Sequence, residues 1–199
     1  MDKRDAVLQA SCPSIAVPKY SPIEIPNKCG ERILVAANGV FLEVTRKWCR
    51  FVRKVGEMNT PVPYGTVHES SQLLAPRLPR NLVEDFLRLS KTSCDVEIGG
   101  AIIWNHITNA YRLSPVETLA ADNQSLDYRP AKLGDGDHLI VDCHSHAHHE
   151  SYFSPKDNED DQWHVKISLV VGACNTATPT IKTRLCLKGI FENFILDLT

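Results

Sequence analysis

The chain has 199 residues, 43% of them hydrophobic and 23% charged, with a formal net charge of −2. That is the composition of an ordinary soluble globular protein, long enough to bury a full core. It gives no electrostatic reason to expect nucleic-acid binding, and no apolar run reaches the roughly 18 residues of a membrane span.

Cysteines number seven, at positions 12, 29, 49, 94, 143, 174 and 186, with no CxxC among them. An odd, dispersed set indicates neither a disulfide framework nor a zinc knuckle, and a reducing cytoplasmic compartment fits it. The start, Met1-Asp2-Lys3-Arg4, is charged, but no apolar segment follows, which argues against a signal peptide.

Residues 1–28 carry Pro13, Pro18, Pro22 and Pro26 and little periodicity, and read as an extended arm. Residues 29–78 read as a β-rich extension. Ile33 to Ala37 and Val40 to Val44 flank Asn38-Gly39, a type I′ hairpin signal, and Trp48 to Val55 is a further strand. Met58 to Pro79 is punctuated by prolines and reads as loop.

The main domain is expected over 79–199. Asn81 is a candidate cap for a helix with Glu84 at its third position, and Leu82, Val83, Phe86, Leu87 and Leu89 form the apolar stripe. A buried strand runs from Glu97 to Trp104, further strands from Ile107 to Leu113 and near Ser114 to Leu119, and a polar loop from Ala121 to Asp137. His138-Leu139-Ile140-Val141 starts a strand ending in His144 and His146. Val165 to Gly172 and Thr183 to Leu198 are the last β segments. This order of strands and helices predicts an α+β domain.

The densest chemistry lies between Asp142 and Asp161. One serine separates His144 from His146, a spacing that puts both rings on one face of a strand. Seven residues intervene before Ser154-Pro155-Lys156-Asp157. Two imidazoles and one carboxylate make a three-ligand set for a catalytic zinc, with the fourth position left to water. Each part also has a plainer explanation. An isolated HxH is more often a pair of hydrogen-bonded histidines, and S-P-x-D is itself a helix start, with serine as cap and proline first. The acidic run Asp157, Glu159, Asp160 and Asp161 reads as a solvated helix start, and Cys143 alternates away from the histidines as a packed residue.

Taken together, H-S-H, seven residues, then S-x-x-D, with an upstream E-x-x-G, resembles the JAMM motif of the JAB/MPN metalloproteases. These are zinc isopeptidases that cleave ubiquitin and ubiquitin-like conjugates, together with their prokaryotic relatives. The match falls on Glu97, Gly100, His144, Ser145, His146, Ser154 and Asp157 and covers Leu82 to about Ile190. Ala147 stands where that family often has proline. VDCHSHAHHESYFSPKDNEDD, RLCLKGIF and ANGVFLEV are further similar to the protein A family of the PRTRC (ParB-related, ThiF-related cassette) systems.

The resemblance implies a cytidine-deaminase-like JAB/MPN fold, a mixed β-sheet with flanking helices, behind the N-terminal β-rich extension. His144, His146 and Asp157 would hold Zn²⁺, Glu97 would be the general base, and Ser154 would donate to the oxyanion. The implied activity is that of a metallopeptidase or isopeptidase acting near the C-terminus of a ubiquitin-like protein. E1-like (ThiF-related) and E2-like cassette proteins would be its partners. A non-catalytic MPN-fold interaction module is the competing class, and an amidase for small peptides or cysteine conjugates would use the same zinc chemistry.

Overall fold

The computed structural model describes residues 2–121 and 126–199, which form two compact units, one ending at Ala75 and one spanning Pro76–Thr199. The architecture is mixed α+β, as expected from the order of segments.

The first unit comprises α1 (Lys3–Ser11), β1 (Ser14–Ala16), β2 (Gly30–Ala36), β3 (Gly39–Thr45), β4 (Cys49–Gly56) and β5 (Ser70–Leu73), with the strands in one sheet in that order. The extended arm expected over residues 1–28 needs correction. The side chain of Asp2 accepts the backbone N–H of Arg4 at 2.8 Å and caps a helix, and no proline occurs before Pro13 to interrupt it. The loop expected from Met58 to Pro79 contains β5, which is held on β4 partly by Arg53, whose guanidinium donates to the Ser70 carbonyl at 2.7 Å.

The hairpin at Asn38 is present, but Ala36 pairs with Gly39, so Ala37 and Asn38 make the turn. Neither has the positive φ of a type I′ turn. Instead the Asn38 amide is committed to Val67, donating to its carbonyl at 2.7 Å and accepting from its N–H at 3.0 Å. Val17, Leu34, Ala36, Phe41 and Val52 form the core of this sheet.

In the second unit, α2 (Arg80–Thr92) leads into β6 (Gly99–Asn105), β7 (Ala110–Pro115), β8 (Glu117–Ala121), β9 (Leu126–Arg129) and β10 (Asp137–Ser145). Then follow α3 (Pro155–Asp161), β11 (Val165–Gly172), β12 (Thr180–Leu187) and β13 (Ile190–Asn193). The main sheet runs β13-β12-β11-β10-β6-β7, and only its β10–β11 pair is parallel. A parallel pair needs a crossover, and the one here carries α3. The polar loop expected from Ala121 to Asp137 contains β9, which pairs antiparallel with β8; its residues 122–125 lie outside the described residues.

Helix α2 begins one residue before the expected Asn81 cap, with Pro79 in the cap position and no side-chain cap bond. The Arg80 N–H instead donates to the Thr199 carbonyl at 2.9 Å, so the end of the chain satisfies an orphan donor. Val83, Phe86 and Ser90 form its buried face, whereas Leu89 is exposed, rotated off the stripe. Phe86 lies over Gly100, where an added Cβ would sit 3.1 Å from its ring.

One glycine bears directly on the site. A Cβ on Gly172 would lie 2.0 Å from the Ser151 backbone nitrogen and 2.3 Å from the Glu150 carbonyl carbon, so the chain at 149–151 crosses β11 where only hydrogen fits. Gly172→Ala should therefore lift that loop and destabilise the protein by about 1–3 kcal/mol, the usual cost of overpacking. Denaturant titration of the variant checks this; an unchanged midpoint would mean that the loop is not seated on Gly172.

Candidate metal centre

Strand β10 ends at Ser145, so His146 is the first residue beyond it. Its backbone still continues the sheet, donating to the Val171 carbonyl at 2.8 Å. The two rings therefore stay on one side, with centroids 5.0 Å apart and their Nε2 atoms 3.2 Å apart. The ring of His146 also meets Tyr152 edge-on at 4.5 Å. The chain then turns through Ala147, which has φ 47° and is fully buried. A proline, whose ring holds φ near −65°, cannot take that position, which accounts physically for the absence of proline there.

Helix α3 brings the third group. Ser154 is its cap, Pro155 its first residue and Asp157 its third, and serine and aspartate close a reciprocal capping box. Asp157 Oδ2 accepts from the Ser154 N–H at 2.6 Å and from its hydroxyl at 2.7 Å. That leaves Oδ1 directed at His144 Nε2, 3.3 Å away, while Oδ2 is 4.0 Å from His146 Nε2. One carboxylate oxygen is thus spent on the helix start and the other faces His144.

The arrangement suits a shared proton or a cation. Two imidazole nitrogens facing each other at 3.2 Å repel unless a proton or a metal ion lies between them. Burial, and next the neighbouring His144, push the His146 ring toward its neutral, ligating form, against the pull of Asp157 and the nearby Glu150 backbone. Among the described residues, its buried Nδ1 has no well-formed hydrogen bond. An ion bonded tetrahedrally to these donors at roughly 2.0–2.2 Å separates its ligand atoms by roughly 3.3–3.6 Å; the His144–His146 and His144–Asp157 spacings of 3.2 and 3.3 Å approach this, and His146–Asp157 is wider at 4.0 Å. The donor set therefore fits a zinc-sized ion.

Glu97 is buried, with 7% of its surface exposed. The strand expected to open on it begins two residues later, at Gly99, because the segment before it turns in from α2. Ser145, between the two histidines, fixes this entry. Its N–H donates to the Ile98 carbonyl at 2.9 Å, and its hydroxyl accepts the Ile98 N–H at 3.0 Å. Gly99 pairs with His144, so Glu97 enters β6 at the end of the sheet where the histidines stand.

The acidic run needs a second correction. Asp161 is not solvated; it is buried and anchors the far end of α3. Its Oδ1 pairs with Lys166 Nζ at 2.7 Å, and its Oδ2 accepts from Arg184 Nη2 and Ser168 Oγ, each at 2.7 Å. Lys166 is also paired with Asp142, and the Arg184 guanidinium lies over Phe153 and Phe191 at 4.0 and 4.2 Å. The available signal was the four-residue step from Asp157, which puts both carboxylates on one helix face. Cys143 is fully buried, and burial keeps its thiol well above the ordinary range, so it is packed and protonated. His148 and His149 are exposed.

Residues 79–186 match the model of the family described as prokaryotic homologs of the JAB domain, and residues 2–74 match a domain of unknown function, DUF2016. A solution structure of a protein from Desulfitobacterium hafniense is similar at 16% identity and a TM-score of 0.46, over 62% of this chain and 93% of that one. Comparison with curated proteins found no match. Among the described residues, no helix is long and apolar enough to cross a membrane.

Proposed function

The chain belongs to the family of prokaryotic homologs of the JAB domain, and on that premise we propose that it is a zinc-dependent peptidase or isopeptidase. The observation carrying this reading is the convergence of His144, His146 and Asp157, with Nε2–Nε2 and Nε2–Oδ1 separations of 3.2 and 3.3 Å, at the sheet end entered by Glu97. Zinc held by those three residues would polarise a scissile carbonyl and bring a water's pKa to roughly 7.

The remaining roles fall to the chain itself. Glu97, almost dry and acceptor-only when ionised, takes a proton from the attacking water and delivers it to the departing amine. Ser154 donates to the carbonyl oxygen as it gains charge, turning its hydroxyl away from Asp157 Oδ2, where it rests at 2.7 Å. The substrate proposed is a ubiquitin-like protein carrying a C-terminal extension or conjugate, met in the company of E1-like (ThiF-related) and E2-like proteins of a PRTRC-type cassette. That assignment rests on the resemblance of the motif segments.

The test is cleavage of such a substrate by zinc-loaded protein, with metal analysis on the same preparation. Wild type should cleave; chelation should remove metal and turnover, and His146→Ala should abolish turnover together with the zinc of this centre. Bound zinc without cleavage of any ubiquitin-like substrate would instead leave an interaction module with an inert metal.

A further inference from the structure

The loop beyond His146 leads into a second set of ligand-type side chains. The turn at Ala147 leaves His146 buried, while the next histidine, His148, is half exposed. His148 Nε2 lies 3.3 Å from Oδ1 of Asp95, in the turn after α2. Cys94 adjoins that aspartate, and the ligand atoms of Cys94, Asp95 and His148 all lie within 4.8 Å of one another. Cys174 is buried nearby; burial and then the proximity of Cys94 push its thiol up.

We propose that Cys94, Asp95 and His148 form a second metal site, for zinc or a comparable borderline divalent ion. An exposed His–Asp pair by itself contributes little. Here, however, a half-buried thiol from the same turn reaches the same point, and a thiol has no part in a salt bridge. Sulfur, imidazole and carboxylate together select zinc, cobalt or nickel over magnesium and calcium, which take oxygen ligands. Three protein ligands leave a position for water or an exogenous group. The thiol must lose its proton on binding, so affinity falls as pH is lowered.

The placement also suggests a purpose. Asp95 stands two residues before Glu97, and His148 two residues after His146. An ion bridging them ties together the two segments that flank the first centre and limits how far Glu97 can move from the histidines. That consequence rests on Glu97 being the base; the binding site itself does not.

Cobalt distinguishes the two centres, because His144, His146 and Asp157 contain no sulfur. The full chain, kept reduced without added thiol, should take up two equivalents of Co²⁺ and develop a near-ultraviolet thiolate-to-cobalt charge-transfer band. Cys94→Ser and His148→Ala should each lose the band and one equivalent. His144→Ala should lose the other equivalent and keep the band. No band in wild type, or a band that survives Cys94→Ser, overturns the second site. A full two equivalents retained in His144→Ala would count against the first centre and not this one.

Discussion

Replacing Glu97 by glutamine is expected to leave zinc content unchanged and to lower turnover by ~10²–10⁴-fold, the usual loss of a general base. Glutamine keeps the shape of the side chain but replaces one carboxylate oxygen by a donating amide nitrogen, so it can no longer take up a proton. Glu97 is not among the three groups whose ligand atoms cluster, so metal uptake should be indifferent to the change. An interaction module would behave otherwise: partner binding would persist, with no turnover to lose. The measurement is cleavage of an extended ubiquitin-like protein, with metal analysis on the same sample. Wild-type turnover in Glu97→Gln would put the base elsewhere, with His148 and His149 the next to test.

Removing the carboxylate of Asp161 should cost about 3–5 kcal/mol of stability, because buried charges on Lys166 and Arg184 lose a shared partner. The pH dependence has a definite sign. Burial alone would raise the Asp161 carboxyl, but the charge of Lys166 and hydrogen bonds from Lys166, Arg184 and Ser168 outweigh it and hold it at about 2. Unfolded, an aspartate titrates near ~3.9. A depressed carboxylate contributes its full stabilisation, here about 2–3 kcal/mol, above pH ~4, and loses it as pH falls toward 2. Chemical denaturation of wild type and Asp161→Ala at neutral pH and near pH 3 reads both effects, and the difference between them should shrink in acid. A variant within 1 kcal/mol of wild type at neutral pH would show that Asp142 and the two phenylalanines suffice to hold these cations. Because α3 carries Ser154 and Asp157 at its other end, the same variant should bind metal more weakly.

What the sequence could determine was local. The segment Val165 to Gly172 is β11 to the residue, because Val165, Ile167 and Leu169 alternate with Lys166 and Ser168 at the two-residue period of a strand. Ser154-Pro155-x-Asp157 is a helix start in the sequence and in the structure, because cap, proline and third-position acid act within one turn. The α+β class followed from the order of such segments.

What only the tertiary structure decided depends on contacts between distant residues. Asp161 looks solvated beside Asp160 until β11 and β12 bring Lys166, Ser168 and Arg184 to it. Strand β9 hides in a polar stretch because pairing with β8, not apolar periodicity, makes it. Ser145 reads as a spacer until its bonds to Ile98, 47 residues away, set the approach of Glu97. Cys94 and Asp95 meet His148 only because a turn after α2 and a loop after β10 end at one place. Capping, propensity and burial pattern act over a few residues and are written in sequence order. The partner of a charge or a ligand is chosen by chain topology, which appears only once the sheet has formed.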